Sequence, residues 1–403
     1  MKRSKLFLGI SLICAIGITN ASAGMLAAGP NDLVSNRVAK AAGTNPPVVE
    51  ANELHYAWRS DAKQAALVPF ESVSREYWAD YSGAQLSAGI AIHTTAPGAV
   101  VRISPAQGTP VAIEPEMLQV QHAGQVYANA TGLTSVASAE DLAGGIPNFP
   151  DGTTAFRLSA ELGPGDFRLS APVSSGQYLV HVYEPDSELQ LKLSAASDAL
   201  LSGQTLQLSA QFETAGRTAA VDSISGVLTA PDGRSFDLTY RQLRDGSYSA
   251  SVEVPEAAQT DGPVLWEVHT FTSAGQVQRD AKTAVAIASA TARLSGTAER
   301  LALRARGTNV VVQFGVDANL SARLQLTGTL WGTNAKGALV PVAVAQTAKS
   351  MAGSADDYLE LRFLTGVVDP AGVRAPFEIR DLRLQDQADM GLMERRERAW
   401  VSN

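Results

Sequence analysis

Leu189-Gln190-Leu191-Lys192-Leu193-Ser194 sets three leucines on one side of an extended chain and Gln190, Lys192 and Ser194 on the other. Side chains of a strand point alternately to its two faces, so this run predicts a strand with one face buried and one wet. Working outward from it, Thr205–Glu213, Val221–Thr229, Ser235–Tyr240, Tyr248–Val254, Val264–Phe271 and Val277–Ile287 repeat the pattern. Pro231-Asp232-Gly233 and Asp245-Gly246 fall between them, where tight hairpins need positive backbone angles. Seven short strands in about 100 residues is the count of an immunoglobulin-like sandwich, which places one such domain over residues 187–290.

The same alternation extends both ways. Downstream, Leu301–Ala305, Val310–Val316, Ala322–Leu330, Leu339–Ala345, Tyr358–Leu364 and Phe377–Leu384 predict a second immunoglobulin-like sandwich over 291–403. Glu394 to Arg398 reads as a solvated face or a closing strand. Upstream, Gln85–Thr95, Ala99–Ser104, Glu116–His122, Thr154–Ala160, Asp166–Ser170 and Gln177–Glu184 predict an N-terminal β-rich domain over 51–186. Its opening stretch, Asn52 to Asp80, reads as more helical and aromatic, and Thr131 to Gly152 reads as a long polar loop. Loops of that length are uncommon unless functional. The fold class is therefore all-β and multidomain: an N-terminal β-sandwich domain followed by two immunoglobulin-like β-sandwiches.

The first residues are of another kind. Met1-Lys2-Arg3-Ser4-Lys5, the apolar run Leu6–Ile18 and Ala21-Ser22-Ala23 form the pattern of a cleavable signal peptide over 1–23. The apolar run is too short to span a bilayer. A periplasmic or secreted protein is expected, with a flexible Ala, Gly, Asn and Pro leader over 24–50. Cys14, the only cysteine of the 403 residues, lies inside the signal. The chain beyond it has no thiol for a disulfide, a thiolate metal site or cysteine catalysis. It carries 29 basic against 40 acidic residues, which argues against nucleic acid and anionic membrane as partners. No membrane insertion is expected after signal cleavage.

Asp245-Gly246-Ser247-Tyr248-Ser249-Ala250-Ser251-Val252-Glu253-Val254-Pro255, followed by Leu265-Trp266-Glu267-Val268-His269-Thr270-Phe271, resembles the late strands of bacterial extracellular immunoglobulin-like modules. There a hairpin enters a core strand with a central aromatic. The layout of signal, N-terminal β domain and two immunoglobulin-like domains is similar to an uncharacterised family of secreted gammaproteobacterial proteins, a domain of unknown function. That resemblance implies a fold and a location and brings no activity or site residue.

No catalytic constellation emerges from the spacing. The pentapeptide of a nucleophilic serine turn is missing, and His55, His93, His122, His181 and His269 are isolated rather than paired one helical turn apart. No cofactor is expected, with calcium the one ion such loops suit. Glu140, Asp141 and Asp151 are its candidate ligands; turn acids facing solvent are the plain alternative. Gly332 to Gly337 lacks the order of a phosphate loop and reads as a hairpin turn. Exposed rings stack on sugars or anchor proteins, so Trp58, Tyr77, Trp78 and Tyr81 are the candidate ligand-binding residues; packing of the first core is the alternative for them. Trp266 reads as core, and the exposure of Trp331 stays open. Together these readings favour a non-enzymatic exported protein for extracellular or envelope recognition of an unknown protein or carbohydrate. The alternative is an enzyme or inhibitor whose site lies in the N-terminal domain, on the Thr131–Gly152 loop, with the sandwiches as spacers.

Overall fold

The computed structural model of the chain describes residues 24–39, 52–60, 68–106, 112–143, 149–255, 265–302, 306–318, 322–354 and 356–402. The signal segment and the latter part of the expected leader lie outside the described residues. Among the described residues strands dominate, arranged in six sheets that close three sandwiches. In the first, a four-stranded sheet around Gly165–Ser170 and a five-stranded sheet around Gln177–Tyr183 bury Phe156, Phe167, Leu169, Tyr178 and Val180 between them. In the second, a sheet centred on Leu189–Ala195 and Thr205–Thr214 faces one centred on Leu265–Ala274 and Val277–Ala288. The third packs a five-stranded sheet against the three-stranded sheet Ala292–Leu301, Val310–Ala318 and Tyr358–Phe363.

The two-residue period explains these elements. Leu191 and Leu193 are fully buried, and so are Leu206 from the neighbouring strand and Trp266, Val268 and Val285 from the facing sheet. The expected hairpins form where Gly233 and Gly246 take positive φ, and the Asp245 carboxylate accepts from Ser247 N and Oγ to hold the second turn. In the third sandwich Gly328 points inward: a Cβ there would lie 2.7 Å from Leu361 Cδ1. Glycine at that point lets the two sheets approach. Glu394 to Arg398 belongs to a closing strand, Leu392–Val401.

Three expectations are corrected. The described part of the leader, 24–39, runs as an extended strap along the third sandwich. Leu33 and Arg395 exchange two backbone hydrogen bonds of 2.9 Å, and Leu26 N donates to Ala399 O. Leu33 is buried with Ala199, Leu201, Ala288 and Ala290 where the second and third sandwiches meet. One apolar residue in a polar run thus anchors a segment whose composition reads as a linker.

Asn52 to Asp80 is not helical where it is described. It contains β1 (Leu54–Arg59), β2 (Glu71–Ser74) and β3 (Glu76–Ser82). Each joins a different sandwich: β1 pairs with Leu339–Ser350 of the third, β2 with Leu189–Ala195 of the second, and β3 with Gln177–Tyr183 of the first. The N-terminal segment visits the sandwiches in reverse order and adds an edge strand to each, and β3 is the first strand of the first sandwich. The supposed Thr131–Gly152 loop contains a strand, Leu133–Ser138, and a short helix, Ala139–Ala143. Its alternation is broken by a bulge, with Ser135 at φ 51°, which hides the strand from a period-two reading.

The first two sandwiches are joined through a buried ion pair. Arg279, on Val277–Ala288, has its Nη2 2.8 Å from Glu184 Oε1, with both side chains essentially without solvent contact. The guanidinium also donates to Leu189 O, Gln278 O, Thr95 Oγ1 and Ser187 Oγ. Glu184 Oε2 accepts from Thr95 N, Thr95 Oγ1 and Ala96 N. Removing one partner leaves an uncompensated buried charge. Arg279→Ala is expected to cost about 3–5 kcal/mol of unfolding free energy in urea titrations. The double variant Glu184→Gln with Arg279→Met, which removes both charges, is expected to cost markedly less.

Candidate ligand-binding face

The sequence-predicted aromatic residues separate in space. Tyr77 points into the core of the first sandwich, and burial pushes its hydroxyl far above the usual phenol range. Tyr81 packs partly against the same core. Trp78 sits at the joint of the first two sandwiches and is held on several sides. His181 stacks on it with centroids 4.7 Å apart, His269 meets it edge-on at 5.7 Å, and Lys282 Nζ lies 5.4 Å from its centroid. Its backbone N donates to Asp280 Oδ2 across the joint. Trp78 acts as a packed hinge pin, leaving no open ring face of the kind a sugar needs.

Trp58 is different. It projects from β1 onto the exposed face of the third sandwich, where Tyr56 is 61% exposed and Trp58 is 47% exposed. That face belongs to the five-stranded sheet in which β1 is followed by Leu339–Ser350, Arg323–Thr333, Arg374–Asp386 and Leu392–Val401. Register sets its side chains in rows. One row runs Trp58, Val344, Thr329, Arg380, Arg398; the next runs Tyr56, Gln346, Thr327, Arg383. Trp331, two residues along from Thr329, shares the face and receives the Arg380 guanidinium at 4.6 Å from its centroid. Alternate residues such as Leu326, Leu330, Ala345 and Ile379 turn to the core.

The polar half of this face is rigid. Glu378 accepts from Arg380 Nε at 2.8 Å and from Arg398 Nε at 3.0 Å, with closer contacts to both Nη2 groups. Burial opposes ionisation of Glu378, but the hydrogen bonds from Arg398 and Arg380 outweigh it and hold its carboxyl below the usual range. Each arginine keeps further N–H donors for a ligand, since the guanidinium has five. The result is a sheet surface with rings at one side and fixed donors and acceptors at the other. Stacking and bidentate hydrogen bonding are the chemistry it offers.

The candidate calcium ligands do not converge. Asp141 caps the short helix Ala139–Ala143 by accepting from Ser138 N and Oγ, which lowers its pKa, while Glu140 and Asp151 are exposed. Among the described residues no three His, Cys, Asp or Glu side chains are placed to hold an ion. The histidines bond to single side chains or backbone groups and do not gather round a common point with acids: His93 meets Asp166 at 2.7 Å, His181 meets Glu76 at 2.8 Å, and His122 meets Asp166 O at 2.9 Å. Sequence reasoning missed Tyr56 beside Trp58, and missed that Arg380, Glu378 and Arg398 share its sheet, with Arg380 three strands away in the same row. Their common sheet comes from pairing between residues nearly 300 positions apart, which no local pattern announces.

Comparison with known proteins agrees with this architecture. A crystal structure of a DUF4785 family protein from Legionella pneumophila is similar at a TM-score of 0.73 and 20% identity, covering 91% of this chain and 98% of that one. An α-2-macroglobulin from Salmonella aligns with 83% of this chain and 24% of its own at 11% identity, with a TM-score of 0.24, too distant to carry an argument. No curated protein matches. Residues 45–184 match the N-terminal domain, and residues 291–401 the C-terminal domain, of the domain of unknown function DUF4785. With both models matched over more than half of its length, the chain belongs to the DUF4785 family.

Proposed function

We propose that this is a non-catalytic binding protein that holds a carbohydrate on the exposed face of its third sandwich. The observation that carries the reading is the pair Tyr56 and Trp58, adjacent on one strand face and both substantially open to solvent, on the same sheet as the Arg380–Glu378–Arg398 ladder, which begins three strands away. An exposed ring offers a flat apolar surface for the C–H face of a sugar. Paired planar side chains present donors and acceptors at fixed spacing for vicinal hydroxyls. The arginines are already balanced by Glu378 and Asp381, so a neutral sugar suits the surface better than a strongly charged one. A recognition role for immunoglobulin-like modules, a position outside the cytoplasm in a gammaproteobacterial setting, and export through residues 1–23 complete the reading; the signal pattern supports it.

Two outcomes test it. On a glycan array followed by calorimetry, Trp58→Ala is expected to weaken binding at least about tenfold, the scale of one lost stacking contact, with an unchanged melting temperature. Retention of every glycan at wild-type strength would remove the reading. Glu378 ionises below the usual carboxylate range, so the ladder is complete above about pH 5 and is lost as pH falls through the folded-state value. Binding is therefore expected to be flat at neutral pH and to fall on acidification, and Glu378→Gln is expected to bind weakly at neutral pH too.

A further inference from the structure

We propose that β1 is a self-complementary edge through which two copies of this chain pair. Among the described residues the strand is the outermost of its sheet and is bonded on one side only. Ser60 N donates to Val342 O, one step beyond the Arg59 and Ala343 pair. In an antiparallel ladder this fixes the phase: even-numbered residues of β1 face Leu339–Ser350, and the backbone N–H and C=O groups of Glu53, His55, Ala57 and Arg59 face outward.

Natural sheets blunt such edges with bulges, covering segments, lysine or proline. Three other edges are treated in this way: the Leu33 strap lies over Leu392–Val401, and bulges interrupt Leu133–Ser138 and Ala292–Leu301. β1 is six residues long, without a bulge, lysine or proline. Its sequence, flanked by Glu53, reads Glu53-Leu54-His55-Tyr56-Ala57-Trp58-Arg59. About a two-fold axis at Tyr56, an antiparallel second copy sets Glu53 opposite Arg59, Leu54 opposite Trp58, His55 opposite Ala57, and Tyr56 opposite itself. The outward backbone groups of His55 and Ala57 then bond each other on both sides of the axis. Leu54, Tyr56 and Trp58, all exposed in the single chain, become a continuous stripe of cross-strand apolar pairs.

Charge fits as well. Arg59 has no partner among the described residues, and the Glu53 carboxylate, 3.1 Å from His55 Nε2, keeps an exposed oxygen free. Both ends of the paired strands gain an opposite-charge contact, as an isologous interface requires. The stripe lies on the side of the joined sheets that Leu54, Tyr56 and Trp58 already present to solvent.

Sedimentation equilibrium of the full chain tests this. The wild type is expected to move from monomer to twice its mass over the micromolar range, the strength of a small edge contact. Glu53→Arg and Arg59→Glu, each placing like charges opposite one another twice, are expected to weaken association about tenfold. Combining them is expected to restore it to within about threefold. Ala57→Pro removes only an outward N–H and is expected to abolish pairing while the melting temperature stays within a few degrees. A chain that remains monomeric at all concentrations, a double reversal that fails to restore association, or a dimer indifferent to Ala57→Pro would each overturn the proposal.

Discussion

The Arg279–Glu184 pair sets the arrangement of the first two sandwiches. Two opposite charges withdrawn from water are a poor source of net stability, because desolvation offsets most of their attraction. They are instead demanding about geometry. Nη2 must reach Glu184, Ser187 and Thr95 while Nε reaches Leu189 O, and these groups lie on the first sandwich, the connecting segment and the second. Only one relative placement satisfies them together. Trp78, clamped between His181 and His269 with its backbone bonded to Asp280, repeats the demand a few residues away.

The N-terminal segment imposes a second constraint of a different kind. By lending β1, β2 and β3 to three sandwiches in turn, and by strapping residues 24–39 over the third, it ties the whole chain together through edge pairing. Loop closure over such sequence separations carries an entropic cost that grows slowly with length. The gain is that the edges of Leu339–Ser350, Leu189–Ala195 and Gln177–Tyr183 are paired, with β1 left as the outer edge of the third sheet. The exposed aromatic face exists because of this return: without β1 the third sheet would have neither Tyr56 nor Trp58.

That face illustrates how a site can be assembled from unremarkable residues. Arginine and glutamate alternate along Arg374–Asp386 and Leu392–Val401, a composition that reads as ordinary solvated strand surface. Register makes Glu378 the shared acceptor of two arginines and sets Arg380 over Trp331. The ladder is stiff because each member is held by another, and stiffness is what keeps donors in place for a ligand without further ordering cost.

Sequence alone determined the strand content and the burial of residues such as Leu191, Leu193 and Trp266. Those follow from alternation and turn chemistry, which act over a few neighbours. It placed Trp58 among the binding candidates, yet grouped it with Tyr77, Trp78 and Tyr81, which are close to one another in the chain but belong to a core and a joint. Which sheet each N-terminal strand enters, which glutamate meets Arg279, and which rings share a face with Arg380 were decided only by tertiary structure. An edge strand carries in its own residues the instruction to be extended and two-faced; its partner is chosen by the free hydrogen-bonding edge it happens to fit, hundreds of residues away.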